Sequence, residues 1–271
     1  MAQLHSNNAS GLDPALIAHE LGARAPLFGI DVLASCTSSN TVLVERAAAG
    51  AAHRSVVVCA ELTAGRGRRG RSWLAPPGAS LAFSLLWRFP PGASAPLGLS
   101  LAVGAAVARA AEQQGATHIS LKWPNDVLYD GRKLAGILIE LVAGVTAAPA
   151  AVIGIGINLH LPDGLAAEAG FEAADLAAAS GRPPAAAPFL ARLLIQLDDT
   201  LTRFTDQGFA GLREEWLTRC AHLEAPVRLD ADYGPAITGC CVGVDDDGAL
   251  LVATEGGLKR ILGGDVSLRP A

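Results

Sequence analysis

The sequence predicts an α+β (mixed α/β) fold, with a large first domain over residues 1–220 and a small all-β domain over residues 221–271. Valine- and isoleucine-rich strands alternate with segments of helical period through most of the chain. After Arg219 the pattern changes to short strands divided by turns such as Asp247-Gly248, which is typical of a small barrel. Hydrophobic residues make up 51% of the 271 residues, enough for a substantial core.

Two helices are predicted near the start of the chain. Asp13–Gly22 is predicted as a helix with Asp13 as the N-cap, Pro14 in the first turn and Gly22 as the stop. A second helix is predicted in residues 38–51, "SSNTVLVERAAAGA", entered through Ser39 or Asn40. The predicted later helices are Pro96–Gly115, Phe189–Phe204 and Phe209–Leu217, with loop and short helix over Gly164–Pro188.

Apolar runs between these helices are predicted as strands. They cover Arg54–Leu62, Ser80–Phe89, "HISLKW" at 118–123, and "AAVIGIGINLHL" at 150–161. Asp130-Gly131 is a hairpin turn signal, so the segment "VLYDGRKLAGILIELV" is predicted to fold back on itself as two strands.

Composition excludes several classes of protein. The formal net charge is −5, which argues against general nucleic-acid binding. No apolar run approaches the about twenty residues of a membrane helix, and the first ten residues lack a signal-peptide pattern, so we expect a soluble, cytoplasmic protein without a membrane partner. The histidines form no metal-ligand pattern, and the five cysteines are expected to be reduced, mostly buried thiols.

The stretch "AGRGRRGRSW" at residues 64–73, named here the glycine–arginine loop, contains G-x-G-x-x-G. A dinucleotide site of that pattern needs a helix directly after it, and Pro76-Pro77 prevents a helix of useful length. The glycines allow close approach to a ligand, and the four arginines favour phosphate or carboxylate. Because the arginines repel one another, we expect a mobile loop that closes over an anion; a solvated basic surface loop is the alternative.

A second motif, "LKWPNDVLYDGRKLAGILIE", concentrates charged groups at a strand end. Three of the 21 basic side chains are lysines, and two of them, Lys122 and Lys133, lie within this segment on either side of "WPND". The hairpin turn returns Lys133 towards Lys122 and Asp126, so two amines and a carboxylate are predicted to share an anion-activating cleft. The alternative for Asp126 is simple turn capping.

"GIGIN" at residues 154–158 places Gly154 and Gly156 inside a strand, where glycine is unfavourable unless another group approaches closely. A flat ligand ring and a packing irregularity both fit this pattern.

Taken together, "SSN" at 38–40, the glycine–arginine loop, "KWPNDVLYDGRKLAGILIE" at 122–140 and "GIGIN" resemble the biotin protein ligases. The tail, "DDDGALLVATEGGLKRILGGDVSLR", resembles the SH3-like C-terminal domain of that family. The resemblance implies a mixed sheet flanked by helices, as in lipoate ligases. It also implies a two-step reaction in which biotin and ATP form biotinyl-5′-AMP with Mg²⁺, and a lysine of a biotin carboxyl carrier protein then takes the biotin.

Site residues follow from the same resemblance. The catalytic residues would be Lys133, Arg66, Arg68, Lys122 and Asp126, with Asp126 orienting the metal or the incoming lysine. The biotin contacts would be Ser38, Ser39, Asn40, Gly65, Arg66, Gly67, Arg68, Trp73, Lys133 and Gly136. The nucleotide contacts would be Arg68, Arg69, Lys122, Asn125, Lys133, Gly154, Gly156 and Asn158.

The chain departs from the family pattern at two positions. Leu62 stands where the family usually has glutamine, which removes one amide from the biotin site, and Ser-Ser-Asn replaces Ser-Thr-Asn at 38–40. Residues before the first motif leave no room for the winged helix that some members carry, so we expect no DNA binding. A monomer or weak homodimer is a separate expectation. Two alternatives stay open: a lipoate–protein ligase and a nucleic-acid-binding module.

Overall fold

The structure is a computed structural model that describes residues 11–73, 76–91, 93, 96–142, 149–162, 164, 172–231 and 235–262, and the backbone of 266–270. The expectation of no leader concerns residues 1–10, which lie outside this range, as does much of the predicted loop after Gly164. Within the described part of the chain, no helix has the length and apolarity needed to span a bilayer.

Seven strands form one mixed sheet in the first part of the chain. They are β1 (Gly29–Leu33), β2 (Ser55–Cys59), β3 (Ser80–Arg88), β4 (Ile119–Lys122), β5 (Asp126–Tyr129), β6 (Arg132–Val142) and β7 (Ala150–Asn158). Their order across the sheet is β1-β2-β3-β7-β6-β5-β4. β1 and β2 run parallel, and every other neighbouring pair is antiparallel.

Helices cover both faces of this sheet. They are α1 (Pro14–Leu21), α2 (Ser39–Ala48), α3 (Leu99–Gln113), α4 (Leu176–Ser180), α5 (Ala186–Gln207) and α6 (Arg213–Leu217), with a 3-10 turn at Phe209–Leu212 before the last. Side chains of α1, α3 and α5 join the large core on one face. α2 packs on the opposite face over a smaller apolar cluster, so the chain forms a helix–sheet–helix sandwich.

Successive side chains along β3 point alternately into the two cores on opposite faces of the sheet. Leu85 belongs to the large core, and its neighbour Leu86 belongs to the cluster beneath α2. Because both faces are covered, β3 and β7 are buried over most of their length and are apolar without a polar face.

The last part of the chain forms a separate antiparallel sheet. Its strands are β8 (Pro226–Ala231), β9 (Ile237–Val244), β10 (Leu250–Thr254), β11 (Gly257–Ile261) and β12 (Val266–Pro270), in the order β11-β10-β9-β8-β12. Asp247 and Gly248 lie in the turn between β9 and β10, as predicted. The predicted α+β fold with a small all-β domain is therefore confirmed, and the boundary between residues 220 and 221 stays a prediction.

Most predicted elements are present with shifted ends. Asp13 caps α1 as expected, accepting a hydrogen bond from the Ala15 amide. α2 begins earlier than predicted, because its N-cap is Ser38. β1 was not predicted, since it is short and only half-buried and so lacks a clear apolar pattern.

The expectation of five reduced cysteines is wrong for one pair. Cys36 and Cys59 form a disulfide, with their Cα atoms 6.2 Å apart. The reason is topological: Cys59 ends β2, Cys36 follows β1, and the parallel pairing of these strands brings their carboxyl ends together. Cys220, Cys240 and Cys241 are free.

Candidate active site

A central cavity of about 470 Å³ opens on the α2 face of the sheet. The first turn of α2, the glycine–arginine loop, the β5–β6 hairpin and the middle of β7 all contribute to its walls. Fourteen of the predicted site residues line it, namely Ser38, Ser39, Asn40, Arg66, Gly67, Arg68, Trp73, Lys122, Asn125, Asp126, Lys133, Gly136, Gly154 and Gly156. Segments nearly 120 residues apart in the chain therefore meet in one place.

The floor of the central cavity is made of small residues. Along β7 the face beneath α2 changes from Val152 to Gly154 and Gly156, and the neighbouring β3 presents Ala82 and Ser84. A Cβ built on Gly154 would lie 2.2 Å from Asn40 Oδ1, and one on Gly156 would collide with the Trp73 indole. The glycines of "GIGIN" therefore make room for two protein side chains, which favours packing over a ligand ring.

Buried polar groups hold the start of α2. Ser39 and Asn40 are buried, and Asn40 Nδ2 donates to the Leu138 carbonyl. The buried Ser84 hydroxyl donates to Asn40 Oδ1 at 2.5 Å and lies 2.8 Å from the Ser39 hydroxyl. Ser84 has one proton, so Ser39 must be the donor in the second bond. These bonds fix the orientation of the "SSN" motif.

Backbone contacts within the glycine–arginine loop give it a compact shape. The Gly67 amide donates to the Arg71 carbonyl at 2.7 Å, and the Trp73 amide donates to the Gly65 carbonyl at 2.9 Å. Arg69 lies in the left-handed region at φ 59°. Glycine at position 65 is required because a Cβ there would lie 2.4 Å from the Trp73 carbonyl oxygen.

Arg66 and Arg68 hydrogen-bond the glycine–arginine loop to other segments of the chain, β6 and the turn between β4 and β5. Arg66 Nη2 donates to both carboxylate oxygens of Glu140 at 2.9 Å. Arg68 Nη1 donates to Asn125 Oδ1 at 3.2 Å. A second cavity, of about 690 Å³, is lined by the same loop, including Gly65 and Arg69, and by Glu140 of β6.

The β5–β6 hairpin places an ion pair in the central cavity. Asp130 and Gly131 both have positive φ, at 46° and 75°, as the predicted tight turn requires. The turn brings Lys133 back, so that its Nζ lies 2.7 Å from Asp126 Oδ1. Gly136 admits this lysine, since a Cβ there would lie 3.2 Å from Lys133 Cε and Nζ.

Asn158 is not among the residues that line the central cavity. It is buried and donates to the Lys133 carbonyl at 3.3 Å and to the Ala174 carbonyl at 3.0 Å. Its amide therefore ties the β6 strand that carries Lys133 to the segment before α4. The predicted contact of Asn158 with a nucleotide stays a prediction.

Three residues of the site were missed in the sequence: Ser84, Glu140 and Glu172. Glu172 lines the central cavity, and its carbonyl accepts from the Lys133 amide. Ser84 and Glu140 each interrupt an apolar stretch, "AFSLL" in β3 and "GILIELV" in β6, and that interruption was the available signal. Leu62 is half-buried, lines the central cavity and packs against the cluster beneath α2.

Electrostatics on the Lys122 side of the site affect a histidine outside the motifs. Burial, and then the positive charge of Lys122, lower the pKa of His222. In the part of the chain that the structure describes, no three His, Cys, Asp or Glu side chains come together as a metal site.

A mixed sheet with a polar, arginine-bordered cavity on one face and an appended small β-domain defines the fold class of the biotin and lipoate ligases. Residues 32–158 match the Biotin/lipoate A/B protein ligase family, and residues 222–269 match the Biotin protein ligase C terminal domain. The chain belongs to the biotin protein ligase family.

Relatives of known name agree with this assignment. The biotin–[acetyl-CoA-carboxylase] ligase of Paracoccus denitrificans is 35% identical over 244 residues, covering 85% of this chain and 97% of the relative. The bifunctional ligase/repressor BirA of Escherichia coli is 36% identical over 211 residues, covering 77% of this chain. The match spans 64% of that relative's own length.

A solved structure has the same fold. The biotin protein ligase of Aquifex aeolicus, determined in complex with biotin and ATP, superposes with a TM-score of 0.78 at 30% identity. The superposition covers 90% of this chain and 99% of that one.

Proposed function

We propose that the chain is an ATP-dependent biotin–protein ligase, which activates biotin as biotinyl-5′-AMP and transfers it to a lysine of a biotin carboxyl carrier protein. The observation that carries this proposal is the Lys133–Asp126 pair, 2.7 Å apart, in one cavity with the "SSN" motif and the glycine–arginine loop. Family membership, and relatives named as ligases of biotin to acetyl-CoA carboxylase, support the same acid and acceptor.

In the first step a biotin carboxylate oxygen attacks the α-phosphorus of ATP. The bond from that phosphorus to the bridging oxygen breaks, and pyrophosphate leaves. Two anionic groups must approach each other, so cations fixed at the reacting centre lower the barrier. Lys133 is held there by Asp126, and Arg68 borders the same cavity.

In the second step the neutral amine of the acceptor lysine attacks the carbonyl carbon of the mixed anhydride. The bond from that carbon to the AMP oxygen breaks, AMP leaves, and the amine gives up one proton to bulk water as the amide forms. Asp126 lines the cavity, and its carboxylate would orient the incoming lysine. A closed glycine–arginine loop would exclude water, which otherwise hydrolyses the anhydride.

Mg²⁺ would enter with ATP. Mg²⁺ commonly binds substrate phosphates together with one or two carboxylates, and Asp126 supplies a carboxylate at the cavity. The cation would neutralise phosphate charge during adenylate formation.

The test is biotin-dependent exchange of pyrophosphate into ATP. K133A is expected to reduce exchange by about a thousandfold, because it removes the charge that stabilises the transition state. K259A is the matched control: Lys259 is an exposed lysine in β11, and its loss should leave exchange unchanged. Equal activity of K133A and wild type would contradict the assigned role.

A lipoate–protein ligase is the nearest alternative, since the family model of the first domain covers both acids. Running the same exchange with lipoate distinguishes them: exchange with lipoate and none with biotin would reverse the assignment. The expectations of no DNA binding and of a monomer or weak homodimer stay predictions, and gel-shift and sedimentation measurements test them.

A further inference from the structure

Glu140 is a charged side chain on a largely apolar strand. It faces the α2 side of β6 between Leu138 and Val142, and it lies opposite Val152 of β7. Its side chain is 30% exposed, so its charge is only partly hydrated. A carboxylate in such a place needs hydrogen-bond donors to remain there.

The donors come from two separate segments of the chain. Asn40 Nδ2, at the start of α2, donates to Glu140 Oε2 at 2.7 Å. Arg66, in the glycine–arginine loop, donates to both carboxylate oxygens at 2.9 Å. Both segments form walls of the central cavity, so Glu140 joins the start of α2 to the glycine–arginine loop.

Asn40 is held firmly by its other contacts, and the backbone on either side of Arg66 is free to move, so Glu140 connects a fixed group to a movable one. Asn40 is held over Gly154 by Ser84 and cannot move far without losing those bonds. Arg66 lies between two glycines, whose backbone offers little steric resistance to a change of loop position. The Glu140 contact therefore supplies the side-chain restraint at the first arginine of the loop.

We propose that Glu140 is a positioning residue that latches the glycine–arginine loop to the Asn40 side of the central cavity, so that binding of the acid and closure of the loop are coupled. This inference rests on the proposed function. It assigns Arg66 to anchoring the loop through its ion pair.

The test uses E140Q, which keeps the shape of the side chain. A glutamine has one acceptor oxygen where the carboxylate has two, so Asn40 and Arg66 must compete for it, and the opposing ion is lost. E45Q is the matched control, since Glu45 is an exposed glutamate on α2 whose loss changes net charge equally. Both proteins are compared with wild type as full-length chains.

Two measurements report on the latch. In pyrophosphate exchange, E140Q should raise the KM for biotin by about tenfold, the loss expected for a charge-assisted hydrogen bond, with kcat changed less than twofold. In limited proteolysis with subtilisin, cleavage within residues 64–73 should be faster in E140Q. Saturating biotin should slow that cleavage in wild type and E45Q and no longer do so in E140Q.

A double-mutant cycle separates the latch from a general loss of structure. R66A removes the loop contact and leaves the Asn40 contact in place, so it should accelerate loop cleavage as E140Q does. The E140Q/R66A protein should be cleaved no faster than either single variant. If E140Q fails to fold by circular dichroism, R66A carries the test alone, and wild-type rates of loop cleavage in R66A overturn the inference.

The outcomes separate this inference from the proposed function. A wild-type KM for biotin and a wild-type cleavage rate in E140Q overturn the latch while leaving the ligase intact. A wild-type protein without biotin-dependent exchange overturns the ligase, and proteolysis of the variants still decides whether Glu140 holds the loop.

Discussion

At the scale of single residues, the site depends on side chains that are absent as much as on those present. Gly154 and Gly156 remove two Cβ atoms from the middle of a fully buried strand, and Asn40 and Trp73 occupy the space. Asn40 can then reach β6 and Ser84 at once. A glycine inside a strand costs backbone entropy, and here it allows a buried polar side chain to satisfy its amide.

This arrangement predicts the effect of G154A. The added methyl group would lie 2.2 Å from Asn40 Oδ1, so Asn40 must leave its hydrogen bonds. We expect the free energy of unfolding to fall by about 2 kcal/mol and the KM for biotin to rise by about tenfold. Urea unfolding and pyrophosphate exchange measure the two effects.

G256A is the control for that substitution. A Cβ on Gly256 has as its nearest contact Thr254 Oγ1 at 3.8 Å, an ordinary van der Waals distance. We expect a change in unfolding free energy below about 0.5 kcal/mol. If G154A matched G256A in both measurements, the role given to Gly154 would be wrong.

At the scale of elements, local sequence signals predicted the apolar strands and the capped helices. Which strands pair with each other could not be predicted where they are far apart in the sequence. β2, β3 and β7 are continuous apolar runs, so each was visible. β1 is half-buried and short, so it was not predicted. Without β1, there was no reason to expect Cys36 and Cys59 to lie close together.

Within the site, too, contacts made by a local turn were predictable and contacts between distant segments were not. The hairpin turn brought Lys133 to Asp126 through local chain reversal, which the Asp130-Gly131 signal predicted. Arg66 and Glu140 are 74 residues apart and meet through sheet order, which no local pattern specifies.

The disulfide between Cys36 and Cys59 predicts a measurable contribution to stability. Cys36 and Cys59 are separated by 23 residues and connect the segment before α2 to the end of β2. Cross-linking a loop of this length restricts the unfolded chain, so the C36S/C59S variant should lose about 3 kcal/mol of unfolding free energy. Urea unfolding with and without a thiol reductant measures this.

C240S is the control for the cysteine substitutions, since Cys240 is free and half-buried. Its stability should change little, and reductant should destabilise it as much as wild type. The prediction fails if reductant lowers the stability of C36S/C59S as strongly as that of wild type.

At the scale of the whole molecule, the C-terminal sheet contacts the segment that carries Asp126. The buried Trp123 donates through Nε1 to the Gly248 carbonyl at 3.1 Å. A Cβ on Gly248 would lie 2.8 Å from Gly98 Cα, just before α3, so the β9–β10 turn fits closely there. Trp123 stands three residues before Asp126, so this contact supports both the domain junction and the site.

W123F tests whether that single hydrogen bond couples the two parts. Phenylalanine leaves the Gly248 carbonyl without its donor, which should cost about 1–3 kcal/mol of unfolding free energy. Amide hydrogen exchange over residues 245–250 should accelerate, because the turn loses its contact with the first domain. Pyrophosphate exchange should fall as the segment carrying Asp126 loses its support.

W87F provides the comparison that makes the result specific. Trp87 is equally buried, and its Nε1 donates to Thr205 Oγ1 at the same 3.1 Å, within the first domain. Its loss should cost a similar unfolding free energy while leaving amide exchange at 245–250 at the wild-type rate. If W87F and W123F accelerated that exchange equally, the effect would be general destabilisation, and Trp123 would not be the residue that couples the C-terminal sheet to the site.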